Sequence, residues 1–545
     1  MAKSYSEELI NPMTTDELLA CVTAGAKEYI QNTINTKNKS DYQKLKKLFD
    51  EQLFEAKNFE DTELDITVFD WRSLERDRNW WWQIQALPFL NWFVNSFSLQ
   101  NDEERSHYFS KCLDSIRNWG NQANLNSVSP LVWHDHAAAF RGRNISNWLV
   151  FCYLRKISLG ELYAEPLGEL IKEHLDWLQQ DKHYSQHTNH GFDQAMIALT
   201  IASMFSDDGF EAYRQLNCHR LKDEITFAFT EEGVHKENSP GYQKMMLGRL
   251  KQLRTLRPLG QLNVARMGER YIERAEAFLR AITLPDGYLP MTGDTRGEDA
   301  GLVYVQKEQI DVLDYSTSGY VIIRGQTNDG LEIFLLFKNT HESNYHRHDD
   351  DLMLFLYIDG EVVLGDGGLG THQEKDPKRK FLRSALSHSV PLIDRKYIRD
   401  KEKLPAKPIL KVERLNCLVK GISNGYGVDV TRVIDYSDIA SGNLVIEDSC
   451  DKSTLASNWF LNDHAVLLNK RGFDMSTPSF SLKFEMAKNQ FIKLFKGWDN
   501  ESFSGSAIMS NNYSNFIPAV RVVTGGNRKN QRMKLSMCRL GEIDG

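Results

Sequence analysis

No run of about 18 apolar residues occurs in this sequence, so no membrane-spanning helix is expected. Cysteine is sparse and unordered. The seven thiols (Cys21, Cys112, Cys152, Cys218, Cys417, Cys450 and Cys538) are odd in number, scattered, and never spaced as CxxC. That pattern argues against a disulfide framework or a zinc ribbon and for free thiols. Basic excess is also missing. The net charge of −8 gives no footprint for nucleic acid, and an anionic polymer would need a locally basic groove. No apolar core follows Lys3 in the opening Met1-Ala2-Lys3-Ser4-Tyr5-Ser6-Glu7-Glu8, so no signal peptide is read there. A cytoplasmic protein is the expectation, or a periplasmic or secreted one if a leader has been lost. There is no repeat of about 34 or 40 residues, which argues against a tetratricopeptide or HEAT solenoid.

What is present is enough apolar material for large cores. The 545 residues are 41% hydrophobic and 11% aromatic, which suits two or three domains. Amphipathic spacing predicts helices over 41–56, 87–97, 107–119, 147–156, 166–179, 192–205, 220–230, 246–256 and 268–282. Val, Ile and Thr are scarce in this half. Near Asp314 the character changes to short strand-like runs such as Gly319-Tyr320-Val321-Ile322-Ile323 and Leu331-Glu332-Ile333-Phe334-Leu335, continuing to the C-terminus. The reading is an α+β multidomain chain: a helical array or ring over 1–305, then an antiparallel β-sandwich over 306–545.

Five motifs carry candidate chemistry. In Asn344-Tyr345-His346-Arg347-His348-Asp349-Asp350, an extended chain would turn His346 and His348 to one side. A hairpin through Asp359-Gly360 returns to Asp366, and His388 opens another apolar run. Two imidazoles and a carboxylate are a common ligand set for a divalent cation, usually zinc. In Glu237-Asn238-Ser239-Pro240-Gly241-Tyr242, the turn places Tyr242 at a helix start as a candidate acid or base. Asn189-His190 lies at the N-terminal end of a predicted helix, where a carboxylate can be held; the plainer reading makes Asn189 an N-cap. Trp80-Trp81-Trp82 cannot all face one core, and an exposed indole can stack on a sugar. His134, Asp135 and Arg141 are polar in an apolar run, either as a satisfied buried network or as part of an anion-binding cleft.

Together these motifs resemble the heparinase II/III-like polysaccharide lyases and their alginate lyase relatives. The resemblance rests on Gly319-Tyr320-x-x-x-Arg324, His346-x-His348-x-Asp350-x-Leu352, Gly365-Asp366-Gly367-Gly368 and Arg383-Ser384-x-x-x-His388, with Asn189-His190, Ser239-Pro240-Gly241-Tyr242 and Asn79-Trp80-Trp81 before them. It implies an incomplete (α/α) toroid followed by an antiparallel β-sandwich, with the site between them. It also implies β-elimination at a uronic acid in an acidic polysaccharide. Asn189 and His190 would neutralise the carboxylate, Tyr242 would act as acid and, for same-face elimination, also as base, and His346 would be base for the opposite face. His348, Asp366 and His388 would hold a structural metal, expected to be zinc, with no organic cofactor. Trp80, Trp81, His134, Arg141, Glu237 and Arg347 are assigned to substrate binding. No nucleic acid or membrane partner is expected, and a homo-oligomer is compatible with the sequence. Two departures stand out: Arg347 occupies the usually small position between the histidines, and Lys380-Phe381-Leu382 replaces the tyrosine often found before the Arg-Ser pair. The competing readings are a metal-dependent hydrolase of the HxHxD type, which lacks its further histidine because position 351 is Asp, and a non-catalytic protein that binds acidic glycans.

Overall fold

The computed structural model describes residues 13–72, 76–123, 127–393, 410–487 and 490–540. The opening segment Met1 to Glu8 lies outside them. The chain divides into two compact units, Met1–Phe227 with Leu250–Arg270, and Ala228–Arg249 with Tyr271–Gly545. No helix of the described residues is long and apolar enough to cross a membrane.

The first unit is helical, of the incomplete (α/α) toroid kind. Its two most central helices, Asp135–Arg155 and Asn189–Ser203, pack on each other and are buried on nearly all faces. That burial explains why periodicity located only 147–156 of the first: Ala137, Ala138, Ala139, Gly142 and Ile145 are all inside, so no polar stripe marks the helix. Local signals set the ends elsewhere. Asn101 and Glu104 form a reciprocal capping box at the start of Asp102–Gln122. The helix expected over 41–56 is Lys39–Asp50. Gln52 takes φ 56°, and Leu53–Phe54 then pairs with Thr62–Glu63.

The second unit is built on antiparallel sheets. A five-stranded meander runs Asp311–Tyr315, Tyr320–Gln326, Glu332–Lys338, Met353–Ile358, Glu361–Leu364. An eight-stranded sheet packs against it, with Val321, Leu335, Leu354 and Leu356 sharing one core with Ile434, Leu444, Phe484 and Leu535. This is a β-sandwich. Gly421 shows how close the layers come: a Cβ there would sit 2.5 Å from the Phe337 ring. Inside the unit, Arg432 holds Asp448 through two nitrogens at 2.7 and 2.8 Å, and also donates to the Leu352 and Ser389 carbonyls.

One local expectation fails. The strand after the His-x-His pair begins at Met353, not at the histidines. The preceding segment is irregular, with His346 at φ 53° and Leu352 at φ 61°. Strand alternation therefore does not bring the histidines together.

Candidate active site

Asp294 brings them together instead. In the second unit, its Oδ2 accepts from His346 Nδ1 at 3.0 Å and its Oδ1 lies 2.8 Å from His348 Nε2. Arg379, on the helix Pro377–Arg383, grips the same carboxylate with two nitrogens at 2.6 and 2.9 Å. Burial alone would raise the Asp294 carboxyl; Arg379 first, then the two histidines, hold it well below the usual carboxylate range. The loop carrying Asp294 also docks the helix Pro240–Gln252, because the Gly241 amide donates to Thr295 Oγ1. Asn238, at φ 62°, ties that helix start to the histidine loop by donating to the Ser343 and Tyr345 carbonyls. Gly293, at φ 58°, sits where a Cβ would press on the Asn238 and His346 carbonyl oxygens, at 2.9 and 3.1 Å. Left-handed backbone at 238, 293 and 346 thus fixes three chain segments against one another.

The outcome is a stacked pair. The Tyr242 ring lies 3.5 Å from the His346 ring, centroid to centroid, at 18°. Burial, and then the Asp294 and Glu237 charges, push the Tyr242 phenol well above its ordinary range, so it keeps its proton at neutral pH. Glu237 is 1% exposed, and its Oε2 stands 3.4 Å from His346 Nε2. The residue expected to touch substrate therefore lies under the imidazole.

His348, Asp366 and His388 are all buried, and each offers one ligand atom within 4.8 Å of the others. Asp366 and His388 come together through a bridge between the hairpin's return strand and the segment after Arg383. This set could hold a metal ion. The fit is chemical as well as geometric. His348 Nδ1 is buried without a hydrogen-bond partner, while its Nε2 faces Asp294, the arrangement of a metal-bound imidazole whose far nitrogen is held by a carboxylate.

The helical unit carries a second cluster. The helix Asn189–Ser203 is capped by Thr188, whose hydroxyl accepts from the Gly191 amide, so Asn189 is its first residue and not its cap. His190 Nδ1 faces Asp135, and its ring stacks on His136 at 4.2 Å. His134 lies beside the same carboxylate, 2.7 Å from Asp135 Oδ1.

Besides Glu237, four more substrate-binding expectations meet burial instead. Trp80 and Trp81 are each 2% exposed and pack edge to face on one another; Trp82 is the partly exposed member, over His136. Arg141 has no exposed surface, because its guanidinium donates to the Gln85 and Val132 carbonyls and to His174. Arg347 is 6% exposed and paired with Asp349 and Asp351. Its guanidinium is taken up by its own acidic neighbours. Trp81→Ala is expected to cost about 3–5 kcal/mol of stability and Trp82→Ala clearly less, as read by denaturant unfolding.

Comparison with known proteins fits this arrangement. The family description "Heparinase II/III N-terminus" matches residues 17–314, more than half of the chain, and "Heparinase II/III-like, C-terminal" matches 309–528. The chain belongs to the heparinase II/III family. It is thereby an enzyme of the polysaccharide lyase class. Among solved structures it resembles "Heparinase III", with TM-score 0.72 and 14% identity over 96% of this chain and 89% of that one. It also resembles heparan sulfate lyase HepC from Pedobacter heparinus, with TM-score 0.64 and 16% identity over 96% and 88%. At such identity the likeness speaks for the fold. No curated protein sequence matches.

Several residues of this heparinase II/III chain escaped the sequence reading. Asp294 stood in Gly293-Asp294-Thr295-Arg296-Gly297, whose composition marks a loop near a domain boundary and gave no other signal. Arg379 stood between Lys378 and Lys380, where no local pattern singled it out. Arg296 and His372 approach the Tyr513 ring at 5.1 and 5.8 Å, over a sequence separation that no local pattern bridges.

Proposed function

We propose that this protein cleaves a uronic-acid-containing polysaccharide, a glycosaminoglycan or a related acidic glycan, by β-elimination. The observation that carries the reading is the Tyr242–His346 stack over the Asp294 carboxylate. A C5–H beside a carboxylate is hardly acidic until that charge is neutralised, a role given to Asn189 and His190 at a helix N-terminus. The C5 proton passes to a base, the C4–O bond breaks as the C4=C5 double bond forms, and the Tyr242 phenol protonates the departing oxygen. His346 serves as base for an opposite-face proton, which requires its Nε2 contact with Glu237 to give way to substrate. Tyr242 serves as both base and acid for same-face elimination.

A metal held by His348, Asp366 and His388 would be zinc, which this nitrogen and oxygen donor set suits. It would supply structure rather than a chemical step, by pinning the loop that presents His346. Chelation, and separately His348→Ala, are expected to lower bound metal and melting temperature together. Metal analysis alongside calorimetry reads this, and unchanged stoichiometry in His348→Ala removes that ligand from the set.

Heparan sulfate is named in the description of one similar structure and leads the substrate panel, followed by chondroitin, hyaluronan, alginate and bacterial capsules. Products are followed by near-ultraviolet absorbance and mass spectrometry. Unsaturated ends, with no water added across the cleaved bond, support the reading; saturated ends carrying an added water overturn it. An HxHxD-type hydrolase is disfavoured because the Asp350 carboxylate is taken by the buried Lys338 ammonium.

A further inference from the structure

The helical unit holds a chain of polar contacts ending at His190. Arg78 donates to His134 Nε2 at 2.7 Å. A guanidinium can only donate, so that nitrogen must accept, and the neutral His134 ring carries its proton on Nδ1. His134 Nδ1 lies 2.7 Å from Asp135 Oδ1. The other carboxylate oxygen accepts from the Ser185 hydroxyl and stands 3.1 Å from His190 Nδ1. Asp135 is the first residue of the helix Asp135–Arg155, and the His136 amide donates to it at 2.5 Å. An anion is favoured at that end of a helix. Burial alone would raise this carboxyl, yet His134 and then His190 hold it well below the usual range. Asp135 is therefore a fixed, ionised acceptor directed at one nitrogen of His190. His136, anchored to Asp193 at 2.8 Å, stacks on the His190 face and limits its rotation.

We propose that Asp135 is a positioning residue, which keeps a proton on His190 Nδ1 and leaves Nε2 as the nitrogen that meets the substrate carboxylate. The inference rests on the lyase reading for its consequence in turnover, though not for its geometry. As imidazolium, His190 donates from Nε2 to the substrate while Asp135 remains the counter-charge behind it. A carboxylate behind an imidazole is the usual way to fix both tautomer and ring orientation. Within the helical unit, Arg78 and His134 complete the support from the far side.

The test uses the full chain labelled with ¹⁵N-histidine. Long-range ¹H–¹⁵N correlation reads which nitrogen of His190 carries the proton, with the signal assigned by its loss in His190→Gln. Wild type should show a proton on Nδ1, and Asp135→Asn should lose that signature. Turnover of the best substrate should fall ~10- to 100-fold in Asp135→Asn, with KM changed less than kcat, and Asp135→Glu should recover part of the loss. A wild-type His190 protonated on Nε2 alone overturns the proposal, as does an Asp135→Asn variant with unchanged tautomer and turnover. The wild-type spectrum decides even if Asp135→Asn does not fold. It also decides if no polymer is cleaved, in which case the lyase reading fails while the positioning role stands or falls separately.

Discussion

Tyr242→Phe should lower turnover by ~10²- to 10⁴-fold while leaving the melting temperature close to that of the parent. The change deletes one oxygen and keeps the ring, so the 3.5 Å stack against His346 survives. On the proposed mechanism, what is lost is the proton for the departing C4 oxygen. The half-buried phenol, with Asp294 and Glu237 nearby, holds that proton more firmly than a free tyrosine would. Its pKa lies above the unfolded value, so any stability it contributes is present below pH ~10 and fades only at higher pH. Loss of activity near neutrality thus reports on the missing acid and not on unfolding. Initial rates by ultraviolet absorbance, beside a thermal melt of the same sample, make the measurement. Near-parental rates would remove Tyr242 from the chemistry.

The second large effect is on stability. Asp294→Ala should cost about 3–5 kcal/mol, because the Arg379 guanidinium, 2% exposed, would lose its one buried carboxylate partner and keep only the exposed Glu374. The same change frees His346 and His348 from their shared acceptor. Activity should fall even where the protein remains folded, and bound metal should fall with it. Denaturant unfolding and metal analysis check the two parts. An Asp294→Asn variant keeps the volume and tests charge alone; a stability loss below ~1 kcal/mol in both variants would mean that the anion is not what holds this centre together.

The fold class was legible because its signals are periodic. Alternation in Phe480–Met486 and the amphipathic run of Leu262–Ile282 each show one buried face. Where burial is nearly complete, as in Ala137 to Ile145, the period vanishes and the helix start could not be read. The grouping of His348, Asp366 and His388 was legible because two of these donor residues flank a recognisable hairpin and the third opens the next apolar run. The convergence of His346 and His348 was expected for the wrong reason: left-handed backbone at 346 and a carboxylate some fifty residues upstream achieve what a regular strand would not have done. Aromatic richness at Trp80 and Trp81 pointed to a sugar platform, but residue type alone does not say which of three adjacent indoles is covered. Arg141 and Arg347 likewise look like ligands for an anion until their internal partners are known.

The segment Ala228–Arg249 lies within the half of the sequence read as helical, yet it belongs to the compact unit that carries the sheets. A chimera joined at the visible change of composition, near residue 306, would take His346 from one parent and both Tyr242 and Asp294 from another. Modular exchange at that crossover would therefore yield mismatched partners across the stacked pair, whereas a transplant that also carries 228–249 and 271–305 inherits them as a set.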